Sequence, residues 1–406
     1  MRSGALDTCD IVVVGGGVVG LTTALELRRR GFDVIVVEQR FLAFGASGRN
    51  SGAVWLQTRR SGAELELARR GVQKYAEYES EFGPTFEFRR RGGLFFYEDD
   101  RQREILEAHA ASRHAAGLDV AMVTAAEARS LSPVLPDTAL GAVYCADDAQ
   151  VDLAAFVRAV GSACMRMGVR IFENTAVLST IRKVDSVVGI RTVRGEVHAG
   201  AVVWATGAWS VNLQSEGIEL PVSTYRIGQL VTQPVAYTPG AILHGPRGAS
   251  RCGALTDLPG YVGDVFDAID GVDGDHLAYD DTIAQNTEGS VLVGNSIDGR
   301  GTLNPHISMT AAQAMIQTTL GRADHFGGLG VTGLWAGLVG ETPDQLPIVD
   351  LIDGLYLNTG HSFGSTSGPA SGEILARLVT GESNSLQNNL ALARPALAQQ
   401  SREVLR

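Results

Sequence analysis

The sequence predicts an α/β protein in two parts: a discontinuous unit built on a parallel sheet, and a second α+β unit built on a largely antiparallel sheet. Three observations carry that expectation. Residues 11–39, "IVVVGGGVVGLTTALELRRRGFDVIVVEQ", read as strand, glycine cluster, helix and strand in one continuous run. The stretch 355–382 repeats strand, glycine-rich turn and helix near the other end. Between them, from about Val222 to Gly301, the chain is strand-like, with many Gly and Asp turns. Two similar segments at the two ends, with β-rich material between, imply one domain assembled from distant pieces.

The opening unit is the most explicit. Ile11 to Val14 is β-branched and wholly apolar, as expected of a parallel strand covered on both faces. Gly15, Gly17 and Gly20 then fall at G-x-G-x-x-G spacing, where missing side chains allow a tight turn, close approach of a pyrophosphate and close helix packing. The helix from about Val18 to Arg30 stops at Gly31, and Val34 to Val37 form a second buried strand ending at Glu38. Unpaired N–H groups and the positive dipole end at the helix start favour an anion. Glu38 stands where a ribose hydroxyl would be met. With strand, helix and acid all in place, the motif points to an adenine dinucleotide in a Rossmann-type unit. Val18, Val19, Gln39 and Arg40 are expected beside it. Glu38 disfavours a 2′-phosphate, which leaves NAD or FAD ahead of NADP.

Bulk properties narrow the partners. The 406 residues suffice for two or three domains' worth of core, and 45% hydrophobic with 19% charged residues is ordinary for a soluble globular chain. A net charge of -11 argues against nucleic acid, and the "RRR" runs at 28–30 and 89–91 read as solvated faces. No secretory pattern and no run long enough to span a bilayer is present. Cys9, Cys145, Cys164 and Cys252 are far apart, and the eight histidines have no ligand spacing, so reduced thiols in a cytoplasmic protein without a metal site are expected.

Further along, "FLAFGASGRNSGAVWLQ" is a polar glycine- and serine-rich loop, and Ala63 to Phe82 an amphipathic helix. "TFEFRRRGGLFFYEDD" reads as two strands joined near Gly92 and Gly93, followed by a helical pattern from Asp100 to Ala116. A helix from about Asp152 to Met167 stops at Gly168 and leads into a strand; short strands continue through "VVWATGAWS" at 202–210. Met309 to Leu320 is a helix and Val331 to Gly340 a strand region. In the last glycine-rich turn the helix is expected to start at about Pro369, a residue suited to a first turn. The resulting division assigns 1–82, 145–218 and 330–406 to the dinucleotide domain, and 83–144 with 219–329 to a substrate domain.

The fingerprint at 15–20, "GASGRNSG" at 45–52, "VVWATGAWS", "WAGLVGETPDQLPIVD" at 335–350 and "GHSFGSTSGPASGEILARLVTGE" at 360–382 occur in one order. That series resembles the FAD-dependent D-amino-acid oxidase superfamily, in the branch of glycine oxidase, sarcosine oxidase and opine or D-amino-acid dehydrogenases. The resemblance implies non-covalent FAD, a two-domain fold and oxidation of a carbon–nitrogen bond. By hydride transfer to flavin, a small amine, D-amino acid, N-alkyl amino acid or opine would give an imine that hydrolyses. Electrons would pass to O2 or another acceptor.

In "GASGRNSG", Ala46, Ser47, Asn50, Ser51 and Gly52 would line the ring, and Arg49 would either assist anionic flavin or phosphate or brace the loop. Ala176, Val177, Ala205, Thr206 and Gly207 would pass close to the dinucleotide, with Trp209 either touching it or packing in the core. His361, Phe363, Gly364, Ser365 and Thr366 would lie along the flavin, where a helix N-terminus stabilises negative charge. His361 reads as a base or, preferably, as a positioning residue.

Many amino-acid-oxidising relatives carry a carboxylate-clamping arginine just after "W-x-G-L". Here Val339 and Gly340 stand there, so either the carboxylate is held elsewhere, with Arg226 and Arg251 as candidates, or the substrate is not a simple α-amino acid. Glu341 could meet a cationic group or be a solvated turn acid, and Tyr261 could be a lid aromatic or surface packing. The rival readings are a flavin monooxygenase, a flavin-binding subunit of a hetero-oligomeric dehydrogenase, and an NAD-dependent dehydrogenase. The last would leave the late glycine-rich turn without a role.

Overall fold

The computed structural model describes residues 5–184, 186–236, 239–266 and 277–397. Among them two large sheets carry the chain. The first has a parallel heart. Strand Ala5–Val14 lies between Val34–Val37 and Gly195–Trp204, with Val14 opposite both Val37 and Trp204. Leu355–Thr359 joins parallel to Gly195–Trp204, and Arg170–Phe172 parallel to Val34–Val37. Two antiparallel strands, Val177–Lys183 and Ser186–Thr192, extend the sheet from Gly195–Trp204. Val34–Val37 is buried throughout, as its unbroken apolar run requires.

The second sheet runs Val331–Glu341, Ser223–Pro234, Ser290–Asp298, Thr282–Gln285, Ile242–His244, Gly93–Tyr97, Gly141–Cys145, Val120–Thr124. Every pairing along that path is antiparallel except Ile242–His244 with Gly93–Tyr97.

Three expectations change. Val331–Glu341 pairs over its length with Ser223–Pro234, so this segment belongs to the second sheet and not with the dinucleotide unit. The hairpin expected around Gly92 and Gly93 is a single strand, Gly93–Tyr97; Arg89 only exchanges two backbone bonds with Gln150, at 2.7 and 2.9 Å. Arg89 also donates to the Gln285 carbonyl, and Arg90 and Arg91 are exposed, so the triple arginine cannot continue a buried strand. The last helix begins at Gly364, five residues before Pro369.

That proline leaves the Ser365 carbonyl without its helical N–H. Tyr75, from helix Ala63–Phe82, donates its hydroxyl to this carbonyl at 2.5 Å. The two helices meet backbone to backbone there, since a Cβ on Gly71 would stand 1.8 Å from the Thr366 carbonyl oxygen. On its other side helix Gly364–Thr380 rests on helix Val18–Arg29, with Gly372 against Thr22 and Thr23. Tyr75 and Phe156 rings, 4.8 Å apart, fill the core between these helices. Among the described residues no helix is long and apolar enough to cross a membrane.

An ionic cluster locks the first helix to the second. Glu26 is buried and meets Lys74 at 2.8 Å, Arg29 at 2.8 Å and Arg30 at 3.0 Å. Burial alone would raise its carboxyl pKa, but Lys74 and the two arginines outweigh that and lower it from 4.5 to about 2. A depressed carboxyl contributes stability that is present above its unfolded value and lost as pH falls through the folded one. Unfolding measured at several pH values should therefore lose this contribution between 4.5 and about 2. Lys74→Met should cost about 1–3 kcal/mol at neutral pH and weaken the acid dependence; an unchanged acid slope would contradict the assignment.

Candidate active site

A cavity of about 840 Å³ collects the ends of these elements. Its first stretch is the glycine turn. Gly15 has φ +117°, and a Cβ there would lie 2.4 Å from the Ala205 carbonyl oxygen; a Cβ on Gly20 would lie 1.9 Å from the Gly15 carbonyl oxygen. Gly20 thus serves helix packing and does not line the cavity, whereas Gly15, Gly17, Val18 and Val19 do.

The Gly16 N–H donates to one Glu38 oxygen at 2.7 Å and the Arg40 N–H to the other at 2.9 Å, which fixes the carboxylate at the cavity wall. Burial raises its pKa against those bonds. Gln39, Ala176 and Val177 also line this end, while the Arg40 side chain is exposed and outside it.

The 45–52 loop is held by its own polar groups. Ser47 accepts from the Val18 N–H at 3.0 Å, at the start of the first helix. Asn50 donates to the Ala46 and Ser47 carbonyls and accepts from the Gly52 N–H. Arg49 donates to the Ala336 carbonyl at 3.1 Å and lies over the Phe44 ring, bracing the loop against strand Val331–Glu341 while facing the cavity. Ala46, Ser51, Ala205, Thr206, Gly207 and Trp209 line the cavity; Gly52 does not, because it closes on the Val151 carbonyl.

At the C-terminal turn His361, Phe363, Gly364 and Ser365 line the cavity and Thr366 points away from it. His361 sits between Ser367 Oγ at 2.8 Å and Asn358 Oδ1 at 2.9 Å. An amide oxygen only accepts, so Nε2 donates to Asn358. Burial drives the imidazole pKa down to about 3. Both nitrogens are thus engaged by neighbouring side chains, and burial favours the neutral ring.

The far end corrects three candidates. Arg226 is spent on Asp298, at 2.8 and 2.9 Å, and on the His306 carbonyl, so it does not face the cavity. Tyr261 stacks on Phe266 within a separate apolar cluster and does not line the cavity. Glu341 lies outside the cavity lining, 4.0 Å from Arg251, whose charge it balances. Arg251 itself lines the cavity, donating to the Tyr225 hydroxyl at 2.6 Å, with its buried Nε unpartnered. Val339 and Gly340 line it too.

Four further lining groups carry no sequence signal: Arg59, His244, Cys252 and Asp280. Arg59 precedes a helix with no motif around it; its guanidinium carbon is 3.2 Å from the Phe363 ring centroid, and Glu64 neutralises it at 3.3 Å. The other three come from separate segments of the second unit.

Two helix starts, at Val18 and Gly364, open on one cavity, beside a glycine turn too tightly packed for a side chain at Gly15 and a carboxylate held at its edge. That arrangement fits a dinucleotide carrying a second ring system. Residues 10–378 match the profile of the family described as DAO, FAD dependent oxidoreductase. The chain belongs to this family.

It is similar to glycine oxidase of Pseudomonas aeruginosa, with 30% identity covering 91% of this chain and 94% of that one. Its fold is that of the glycine oxidase structure from Geobacillus kaustophilus, at a TM-score of 0.80 and 21% identity, covering 95% and 99% of the two chains. It also shares 26% identity with the mouse mitochondrial pyruvate dehydrogenase phosphatase regulatory subunit, over 55% of this chain but only 26% of that protein's length.

The cofactor of this oxidoreductase is therefore FAD. The glycine turn, Ser47 and Glu38 suit the adenosine and pyrophosphate half, and the 361–365 turn suits the flavin half. Gly15→Val forces a side chain into the Ala205 carbonyl at a positive φ. The variant should purify with most of its flavin absorbance missing while wild-type protein is yellow; full flavin content would refute the cradle.

Proposed function

We propose that this chain oxidises the carbon–nitrogen bond of a small amine that also carries a carboxylate, and that Arg251 holds the carboxylate. The supporting observation is the Arg251 guanidinium: half-buried, facing the cavity and with its buried Nε unspent, in a chain that has Val339 where relatives of this type place their clamp. Similarity over nearly the whole chain to a protein named glycine oxidase agrees with that substrate class.

Bound FAD would supply the hydride acceptor. The chain's own residues do the rest. Trp55, Ile227 and Leu338 give apolar wall at the far end and keep water from the donor carbon. Arg251 fixes one end of the substrate, backed by Tyr225 and Glu341. The amine must react neutral, since its lone pair drives hydride departure, and the imine then takes up water to release a carbonyl compound and a smaller amine or ammonia.

The test is the visible spectrum of the anaerobic holoprotein against D-amino acids, N-methyl amino acids, opines and amines without a carboxylate. The flavin band should bleach with a carboxylated amine and not with its decarboxylated counterpart. Arg251→Met should raise KM about tenfold to a hundredfold, the loss of one charged hydrogen-bonding partner, with a smaller effect on kcat. Equal bleaching by amines lacking a carboxylate would remove Arg251 from this role. A flavin that no amine bleaches would favour an electron-transferring subunit of a larger assembly.

A further inference from the structure

Cys252 is the one cysteine of the four that lines the cavity. Its Sγ lies 3.5 Å from His244 Nε2, and both residues are buried. His244 Nδ1 is 2.7 Å from the Gly245 carbonyl oxygen, which can only accept, so Nδ1 carries a proton and Nε2 is the nitrogen that exchanges one with the thiol. Asp280 Oδ1 stands 3.7 Å from the same Nε2 and is itself fixed by the Thr282 hydroxyl at 2.7 Å. The imidazole is held in place by Phe95 and Trp55, with ring centroids at 4.6 and 5.9 Å.

We propose that Cys252 and His244 form a thiolate–imidazolium pair at the substrate end of the cavity, a covalent site for small neutral electrophiles, aldehydes first among them. In the step, Cys252 Sγ bonds to the carbonyl carbon, the C=O π pair moves onto oxygen, and His244 Nε2 delivers its proton there. The product is a neutral hemithioacetal beside a neutral imidazole; reversal restores the pair and consumes no oxidant or reductant.

The surroundings favour charge separation. Burial opposes a charged His244, but Cys252 and Asp280 outweigh it and raise its pKa. Arg59 lines the same cavity as Cys252, and Arg251 is the adjoining residue in the chain. Behind the pair, His109 is held neutral by burial, its pKa lowered to about 3. By contrast burial pushes the Cys9 and Cys164 thiols up to about 12, and that of Cys145 higher still.

A small aldehyde is what hydrolysis of an N-methyl imine releases. Capture of the enzyme's own product at Cys252 therefore rests on the amine-oxidising reading, whereas the reactivity of the pair does not. Labelling of the holoprotein with iodoacetamide, read cysteine by cysteine by mass spectrometry, tests the pair without any amine.

Cys252 should react at least about tenfold faster than Cys145 and Cys164, at a rate that rises less steeply with pH than theirs, as an imidazole partner at 3.5 Å requires. His244→Asn should slow labelling about tenfold at the low end and restore a steep rise with pH. Formaldehyde should protect Cys252 reversibly. An unlabelled Cys252, or one labelled alike in wild type and His244→Asn, overturns the pair, and absence of protection overturns the aldehyde site. Should His244→Asn not fold, a wild-type rate climbing about tenfold per pH unit is enough to reject the pair. Failure of every amine to bleach the flavin would leave this result untouched.

Discussion

The close approach of backbone to backbone at a few glycines is the constraint on which the rest of this structure depends. Gly15 brings the end of the first strand onto the Ala205 carbonyl, Gly20 lets the first helix lie on that turn, and Gly71 and Gly372 admit the last helix between two others. No side chain larger than hydrogen fits at these contacts. They draw the 15–19, 204–207 and 361–365 segments to one cavity although each lies well over a hundred positions from the next in the chain. Contacts at that range come from packed helices and sheet pairing, so the cofactor cradle and the core stand or fall together.

The polar locks around those contacts follow from what close packing leaves unpaired. Pro369 removes one N–H inside the last helix, and Tyr75 reaches across to the orphaned Ser365 carbonyl. Glu26, buried where the first two long helices meet, is tolerated only because Lys74, Arg29 and Arg30 surround it. His361 shows the same logic at the cavity: Asn358 and Ser367 occupy its ring nitrogens, and Asn358 in turn donates to Thr23 on the first helix. The C-terminal turn is thereby tied to the fingerprint helix through side chains as well as backbone.

The two ends of the cavity differ in how they treat charge. At the glycine-turn end, charge is handled by fixed dipoles: helix starts, backbone N–H groups and one carboxylate pinned between two of them. At the far end it is handled by side-chain ions that are buried or partly buried, Arg59, Arg251 and Asp280, gathered beside Cys252 and His244 from separate strands and turns. Fixed dipoles suit a cofactor that stays. Buried ions with unspent donors suit a smaller molecule that comes and goes, because such groups gain most when a charged partner arrives.

The division between what was legible in the sequence and what was not follows the range of the physics involved. Periodicity and glycine spacing are local, so the sequence alone determined the opening strand, helix and strand, the helices at 63–82 and 309–320, the 45–52 loop and the late strand–turn–helix. It also picked out many of the residues that line the glycine-turn end of the cavity, since those are carried by ordered motifs. It misplaced the last helix start because Pro369 is accommodated by a hydroxyl from another helix, and misassigned strand 331–341 because sheet membership depends on which partner strand is near. The far end of the cavity was illegible for the same reason. Arg226 and Arg251 look alike in sequence, yet Asp298 neutralises the first with a bidentate clasp while the second keeps a donor free. Only the tertiary structure decides where a counter-ion stands, because a charge's partner is set by folding in three dimensions and leaves no period or spacing in the chain.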